Sequence, residues 1–123
     1  MNVSKLQIKI VDPAKEVEKN LAKLTLEQRR EISWPYGMPN FRNIQKSDGL
    51  GRALLTVMKY PNMSWIHIVN VANLRYGLQD YVRLAQYAGL ITNKVPKRYK
   101  GSNPGFRITQ LGLALLKYNN LID

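Results

Sequence analysis

Basic side chains crowd one short stretch near the carboxyl end of this 123-residue chain. The stretch holds four basic residues and no acidic one, and Arg107 follows it. The four are Lys94, Lys97, Arg98 and Lys100. Ammonium and guanidinium groups bind phosphate oxygens, so the stretch suits a sugar-phosphate backbone or a minor groove. A charged run is also common in loops that are only solvated, and that alternative stays open.

Residue types that would support catalysis or metal binding are scarce. The chain has no cysteine, which rules out disulfides, Cys-based zinc fingers and thiol catalysis. The single histidine, His67, lies among apolar residues and is interpreted as structural. The run GLGR at 49–52 lacks the remainder of any nucleotide-binding fingerprint. We therefore expect no enzyme activity, no metal and no cofactor.

Net charge points to a polyanionic partner. The chain carries +11, and the charge is uneven: residues 1–48 have net +3, whereas residues 49–123 have net +8. So much positive charge repels itself unless a polyanion is the usual partner, although a basic surface that only aids solubility is the alternative.

No apolar run approaches a membrane span, and the amino terminus lacks the apolar core of a secretory signal. We expect a cytoplasmic, nucleoid-associated protein with no membrane partner.

The elements that would position these groups begin with a helix over about 77–88. Its apolar residues recur at helical spacing, with polar residues on the other side. The apolar set is Leu78, Tyr81, Val82, Ala85 and Ala88. Gly89 follows where a left-handed cap is needed, and Leu90 can pack back on the helix end. The helix is therefore predicted to stop at Gly89.

A hairpin and a closing helix follow. Residues 90–92 and 105–108 read as two strands, and the segment between them is too rich in Pro, Gly and Lys for regular structure. Thr109 can cap a last helix. Four apolar residues of that helix share a face: Leu111, Ala114, Leu115 and Tyr118.

This order of elements resembles the winged helix-turn-helix domain of small archaeal and bacterial transcriptional regulators. The marks are AGLI at 88–91 and FRITQLG at 106–112, which are similar to signatures of that family. The resemblance covers about residues 49–118. It implies a mainly α fold with a small β-hairpin, an α+β class. Residues 1–48 lie outside the resemblance, and their own pattern predicts an amino-terminal arm and helical extension.

The resemblance also implies which residues contact nucleic acid. A recognition helix at about 77–88 would enter the major groove, and a basic wing at about 94–104 would lie against the backbone. The implied helix contacts are Arg75, Tyr76, Gln79, Arg83 and Gln86. Gln79 and Arg83 suit adenine and guanine, although either can reach a phosphate instead. Asp80 is interpreted as complementing the helix dipole or holding Arg83, with a bond from cytosine as the alternative.

Two helices should come between residues 48 and 73. The first has a stripe at 3.6-residue spacing and ends at residues 60–62. The stripe is Leu50, Ala53, Leu54, Val57 and Met58. Ser64 can cap the second, which has an apolar face but enough β-branched residues to suit a strand; the order of the motif favours the helix. That face is Trp65, Ile68, Val69 and Ala72. The turn at 73–77 would use Gly77 for its backbone freedom.

The first 48 residues offer material for a homodimer. Asp12 and Pro13 start a helix over 13–24, and Thr25 with Gln28 has the spacing of a capping box for a second helix to about residue 32. The first helix carries a narrow apolar stripe: Ala14, Val17, Leu21 and Leu24. Alternating Leu6, Ile8 and Ile10 could add an edge strand. The stripe could pair with a second copy or fold back on its own domain.

The connector at 34–40 contains two prolines and a glycine but also aromatic residues. We interpret Trp34, Tyr36 and Phe41 as a lid on the core; a ligand- or base-stacking platform is the alternative.

The leading hypothesis is sequence-specific binding of double-stranded DNA in transcriptional regulation. Two alternatives remain, an RNA- or ribosome-associated winged domain and a protein-interaction or inhibitor module.

Overall fold

A computed structural model of the chain describes residues 10–32, 38–74, 80–94 and 105–123. Within these ranges the chain forms six helices and one antiparallel pair of short strands, which confirms the expected mainly helical α+β class. The helices are α1 (Pro13–Ala22), α2 (Leu26–Arg30), α3 (Gly49–Lys59), α4 (Trp65–Val71), α5 (Asp80–Tyr87) and α6 (Gln110–Tyr118). The strands are β1 (Ile91–Thr92) and β2 (Arg107–Ile108).

Local capping starts the first two helices as predicted. The Asp12 carboxylate accepts a hydrogen bond from the Lys15 amide at 3.2 Å and Pro13 opens α1. Thr25 and Gln28 form the complete capping box, with reciprocal bonds of 3.1 and 2.9 Å. Both helices end about two residues earlier than predicted. For α1 the reason is Thr25, which must be extended to cap α2 and so stops helical backbone before it.

The apolar stripe of α1 is buried within the chain's own core. Ala14 and Val17 are fully buried and Leu21 nearly so, and α1 packs on α6. The Asn20 amide also donates to the Ala88 carbonyl at 2.7 Å, beyond the end of α5. The stripe thus folds back on its own domain, the second of the two arrangements expected. A homodimer through residues 1–48 stays a prediction, and Leu6 and Ile8 lie outside the described residues.

Helix α3 is the centre of the fold. Its stripe Leu50, Ala53, Leu54 and Val57 is buried as predicted, and α3 packs against α4, α5, α6 and β2. The segment around Phe41 closes over this core, where Phe41 is 3% exposed. Trp34 and Tyr36 lie outside the described residues. Among the described residues no helix is long and apolar enough to pass through a lipid bilayer.

The segment after residue 64 is a helix and not a strand. The Ser64 hydroxyl accepts from the His67 amide, as predicted for the cap. Only part of the predicted apolar face is covered: Ile68 and Ala72 are buried, whereas Trp65 remains 37% exposed. The helix ends at Val71 with Ala72 as its C-cap, and Asn73 then takes the left-handed conformation with φ 55°. Asn73 is thus the left-handed residue just after α4; Gly77, to which the freedom of the turn was assigned, lies outside the described residues.

The hairpin pairs Ile91 with Ile108 and Thr92 with Arg107. A third segment borders β2, because Met63 and Phe106 form an antiparallel bridge just before α4. Gly105 enters this region with φ 83°, where an added Cβ would lie 2.5 Å from the Asn62 carbonyl. Glycine is needed there for both reasons.

The last helix departs from prediction on one side. Thr109 caps α6 as predicted, and Ala114 and Leu115 are buried. Tyr118, predicted on the same face, is 43% exposed and accepts a hydrogen bond from Arg42 at 3.4 Å. Leu116 is buried instead. The cause is α1, which packs on α6 and widens its buried face beyond the predicted stripe.

Candidate nucleic-acid interface

The described residues include four of the ten expected to contact nucleic acid: Arg83, Gln86, Lys94 and Arg107. The other six lie outside the described residues: Arg75, Tyr76, Gln79, Lys97, Arg98 and Lys100. The four described residues follow one continuous path. They lie on α5, just after β1, and at the start of β2.

Helix α5 buries one side and turns the other to solvent. Val82, Leu84 and Ala85 are buried in the core. On the opposite side the Arg83 side chain is 45% exposed and Gln86 is partly buried. Residues at i and i+3 or i+4 share a helix face, so Arg83 lies between Gln86 and Tyr87 on the outer side. Arg83 is the basic residue that α5 offers to a partner.

A carboxylate from the amino-terminal part pairs with Arg83. The Glu31 Oε2 atom lies 3.6 Å from Arg83 Nη1 and also accepts a hydrogen bond from the Tyr87 hydroxyl. The hydrogen bond to Glu31, together with burial, raises the pKa of Tyr87 above its ordinary value. Asp80 had been expected to complement the helix dipole or hold Arg83. One partner of Arg83 comes from the C-cap of α2, far away in sequence, and the role expected of Asp80 stays a prediction.

The junction between α5 and β1 fixes how the helix and the hairpin sit together. Gly89 has φ 81°, the Gly89 amide donates to Gln86 O at 3.1 Å, and the Leu90 amide donates to Ala85 O at 2.8 Å. This pair of bonds is the predicted glycine cap. The Thr109 hydroxyl then donates to Leu90 O at 3.0 Å, so α6 is tied to the same turn.

Hydrogen bonds also brace the strand exit. The Gln86 amide donates to the Asn93 side chain at 3.3 Å, which joins α5 to the residue after β1. The Lys94 amide donates to the Thr92 hydroxyl at 3.2 Å, and the Lys94 side chain is exposed. Gln86 is therefore engaged within the protein, whereas Lys94 is open to a partner.

Arg107 serves the base of the hairpin. Its Nη2 donates to Lys94 O at 2.8 Å across the two strands, and the residue is only partly exposed. Its Nε is buried, with no hydrogen-bond partner among the residues that the structure describes. The guanidinium had been expected to contact nucleic acid. Its contact within the described chain is structural, to the opposite strand.

Sequence reasoning missed the role of Arg52. Its Nε donates to Ala72 O at 2.9 Å and its Nη2 to Asn73 O at 3.3 Å, while Nη1 bonds Ser47 O. One side chain thus satisfies carbonyls at the end of α4 and in the loop before α3. A signal was present, because Arg52 is the only charged residue between positions 49 and 58. A lone charge in an apolar helix needs specific partners.

His67 is exposed, and its Nδ1 lies 3.0 Å from the Ser64 hydroxyl at the start of α4. This contact supports a structural histidine. Within ranges 10–32, 38–74, 80–94 and 105–123, no group of three or more His, Cys, Asp or Glu is placed to hold a metal ion.

Comparison with known proteins gives no relative for this chain. No protein-family model, no curated protein and no solved structure matches it. Any function is therefore inferred from the residues and their arrangement.

Proposed function

We propose that the chain is a sequence-specific double-stranded DNA-binding protein with a winged helix-turn-helix fold, acting in transcriptional regulation. In this proposal α5 with the residues before it is the recognition helix, and the basic segment between β1 and β2 is the wing. The observation that carries it is the direct connection between α5 and the hairpin. Helix α5, with its exposed Arg83, is joined by the Gly89 turn to β1, and the most basic stretch of the chain lies between β1 and β2.

The packing of α3, α4 and α5 supports this proposal. Each of the three helices contacts the other two, and α3 also packs on β2. A helix-turn-helix unit requires a first helix that buttresses the second and third, which α3 does with its buried stripe. The Met63–Phe106 bridge adds a short third segment beside the hairpin.

The charge distribution supports a nucleic-acid partner. Residues 49–123 carry ten basic and two acidic side chains. Arg52 and Arg107 are engaged with backbone carbonyls, whereas Lys94 is exposed and Arg83 nearly half exposed. A phosphate backbone supplies matching negative charge along a line, which suits groups spread from α5 to the hairpin.

Competition binding tests the proposal. Labelled duplex DNA is titrated with the full chain at low and at physiological salt, with duplex RNA and single strands as competitors. We expect duplex DNA to bind and to outcompete the other two. Absence of duplex DNA binding at low salt overturns the proposal, and preference for duplex RNA favours an RNA-associated domain instead. Selection from a random duplex pool then shows whether binding is sequence-specific.

A further inference from the structure

Glu31 places a negative charge on the outer side of the proposed recognition helix. One carboxylate oxygen, Oε2, is 3.6 Å from Arg83 Nη1 and accepts the Tyr87 hydroxyl. Arg83 and Tyr87 are four residues apart, so they are neighbours one turn apart on the same helix face. Glu31 therefore contacts two neighbouring side chains on the helix face that a ligand of Arg83 approaches.

The position of Glu31 is fixed by its surroundings. It is the residue that ends α2, and its amide donates to the carbonyls of Glu27 and Gln28. The next residue, Ile32, is buried in the common core at 5% exposure. The start of α2 is held by the capping box at Thr25. The backbone thus holds the Glu31 carboxylate next to α5, although the side chain itself stands at the surface.

The pair is weak enough to be displaced. The side chains of Arg83 and Glu31 are 45% and 46% exposed, and an ion pair at such exposure contributes little to stability because water screens it. A phosphate or a guanine edge offers Arg83 closer, charge-assisted or bidentate hydrogen bonds. A phosphate that approaches Arg83 meanwhile meets the like charge of Glu31.

We propose that Glu31 competes with duplex DNA for Arg83. Its carboxylate holds Arg83 and Tyr87 in the free protein and is displaced when DNA binds. The inference rests on the proposed function and adds that Glu31 weakens DNA binding. Removing the charge should strengthen DNA binding, and it should do so through Arg83. A carboxylate that only oriented Arg83 for DNA would give the opposite sign.

The test compares Glu31→Gln with Glu27→Gln in duplex DNA binding at low salt. Both changes remove one negative charge from the same helix, one turn apart, and both side chains are exposed. Glutamine can still accept the Tyr87 hydroxyl, so the local packing is kept. Relative to the full chain we expect Glu31→Gln to bind about threefold to tenfold more tightly, and Glu27→Gln to gain less than about twofold.

Dependence on Arg83 completes the test. In an Arg83→Ala background the gain from Glu31→Gln should shrink to that of Glu27→Gln. Three outcomes would each overturn the proposed competition. They are equal gains from the two glutamine variants, a gain that survives in Arg83→Ala, and weaker binding by Glu31→Gln. The proposed function survives these three outcomes. If neither the unaltered chain nor Glu31→Gln binds duplex DNA, the proposed function fails, and Glu31 has no duplex to compete with.

Discussion

Arg52 and Arg83 belong to the same basic half of the chain, but burial gives them different tasks. Arg52 is partly buried and bonds three backbone carbonyls, whereas the Arg83 side chain is 45% exposed and pairs with one exposed carboxylate. A guanidinium whose three nitrogens each already donate to a backbone carbonyl has fewer donors left for a ligand. Removal of Arg52 should therefore change stability, and removal of Arg83 should change binding.

Arg52→Ala should lower the free energy of unfolding by about 2–3 kcal/mol, because it leaves the carbonyls of Ala72 and Asn73 without their charged donor. Chemical denaturation measures the loss. Lys46→Ala, which removes an exposed charge nearby, is the control and should change stability by less than about 0.5 kcal/mol. A similar, small change in both variants would show that the Arg52 hydrogen bonds contribute nothing net.

Arg83→Ala separates reading a base from binding a phosphate. If Arg83 contacts guanine, the substitution should cost about 1–3 kcal/mol on the preferred duplex and much less on random DNA. Lys15→Ala removes one exposed charge from α1, remote from α5 in sequence, and controls for net charge. Equal losses on the preferred and random duplexes would assign Arg83 to the backbone.

At the scale of the elements, the caps were the part of the fold that local sequence could predict. The caps at Thr25, Ser64, Gly89 and Thr109 all form as expected, because each depends on residues within four positions. Contacts between distant segments could not be predicted in this way. Glu31 meets Arg83 only because α2 lies beside α5, and no local pattern encodes that neighbourhood.

The end of α4 shows a local signal that the sequence prediction did not use. Asn73 and Leu74 form the bonds of a glycine-type cap, with the Leu74 amide donating to Val69 O at 2.8 Å. The backbone freedom of the turn at 73–77 had been assigned to Gly77, which lies outside the described residues, so that assignment stays a prediction. Asparagine also tolerates positive φ, and the nearby Arg52 guanidinium bonds its carbonyl, so Asn73 suffices here.

Gly112 lets α6 approach the hairpin. A Cβ on this residue would lie 2.3 Å from Leu90 O and 2.8 Å from Ile108 Cγ1. Gly112→Ala should therefore destabilise the protein by about 1–3 kcal/mol, although alanine favours helices. Lys117→Ala, exposed on the same helix, is the control in thermal unfolding. A stabilised Gly112→Ala variant would mean that α6 can move away from β1 at no cost.

The proposed wing should supply affinity more than specificity. Changing Lys97, Arg98 and Lys100 together to alanine removes up to three phosphate contacts. The slope of log affinity against log salt should then become shallower by roughly 2 to 3 units. The comparison uses both preferred and random duplexes, since backbone contacts weaken binding to each alike. An unchanged slope would show that this segment does not touch the backbone.

At the scale of the whole molecule, one hydrophobic core joins the amino-terminal helices to the rest. The buried residues of α1 belong to the same cluster as those of α3, α5 and α6. Asn119, at the end of α6, adds polar ties, since it accepts from the Ile44 amide at 2.8 Å and donates to Phe41 O at 3.0 Å. Residues 10–32 and 38–48 are thus structural partners of the proposed DNA-binding part. The net positive charge of residues 1–48, +3, is also lower than the +8 of residues 49–123.

A chain shortened to residues 43–123 should therefore lose its cooperative fold. Without α1 the buried α6 side chains Leu115 and Leu116 would lose cover, and the Ala88 carbonyl would lose its bond from Asn20. Circular dichroism on heating measures the loss. In the full chain, Val17→Ala should cost about 2–3 kcal/mol through the cavity it leaves, and exposed Lys19→Ala should cost almost nothing.

Light scattering on the same samples connects this prediction with the oligomeric state. If the full chain dimerises, the stripe of Ala14, Val17 and Leu21 is not the contact surface, since α6 covers it within one chain. Val17→Ala should then lower stability without changing the mass measured at micromolar concentration. A shortened chain that melts cooperatively within a few degrees of the full one would show that α1 is dispensable for the fold. The stripe would then be free to pair with a second copy.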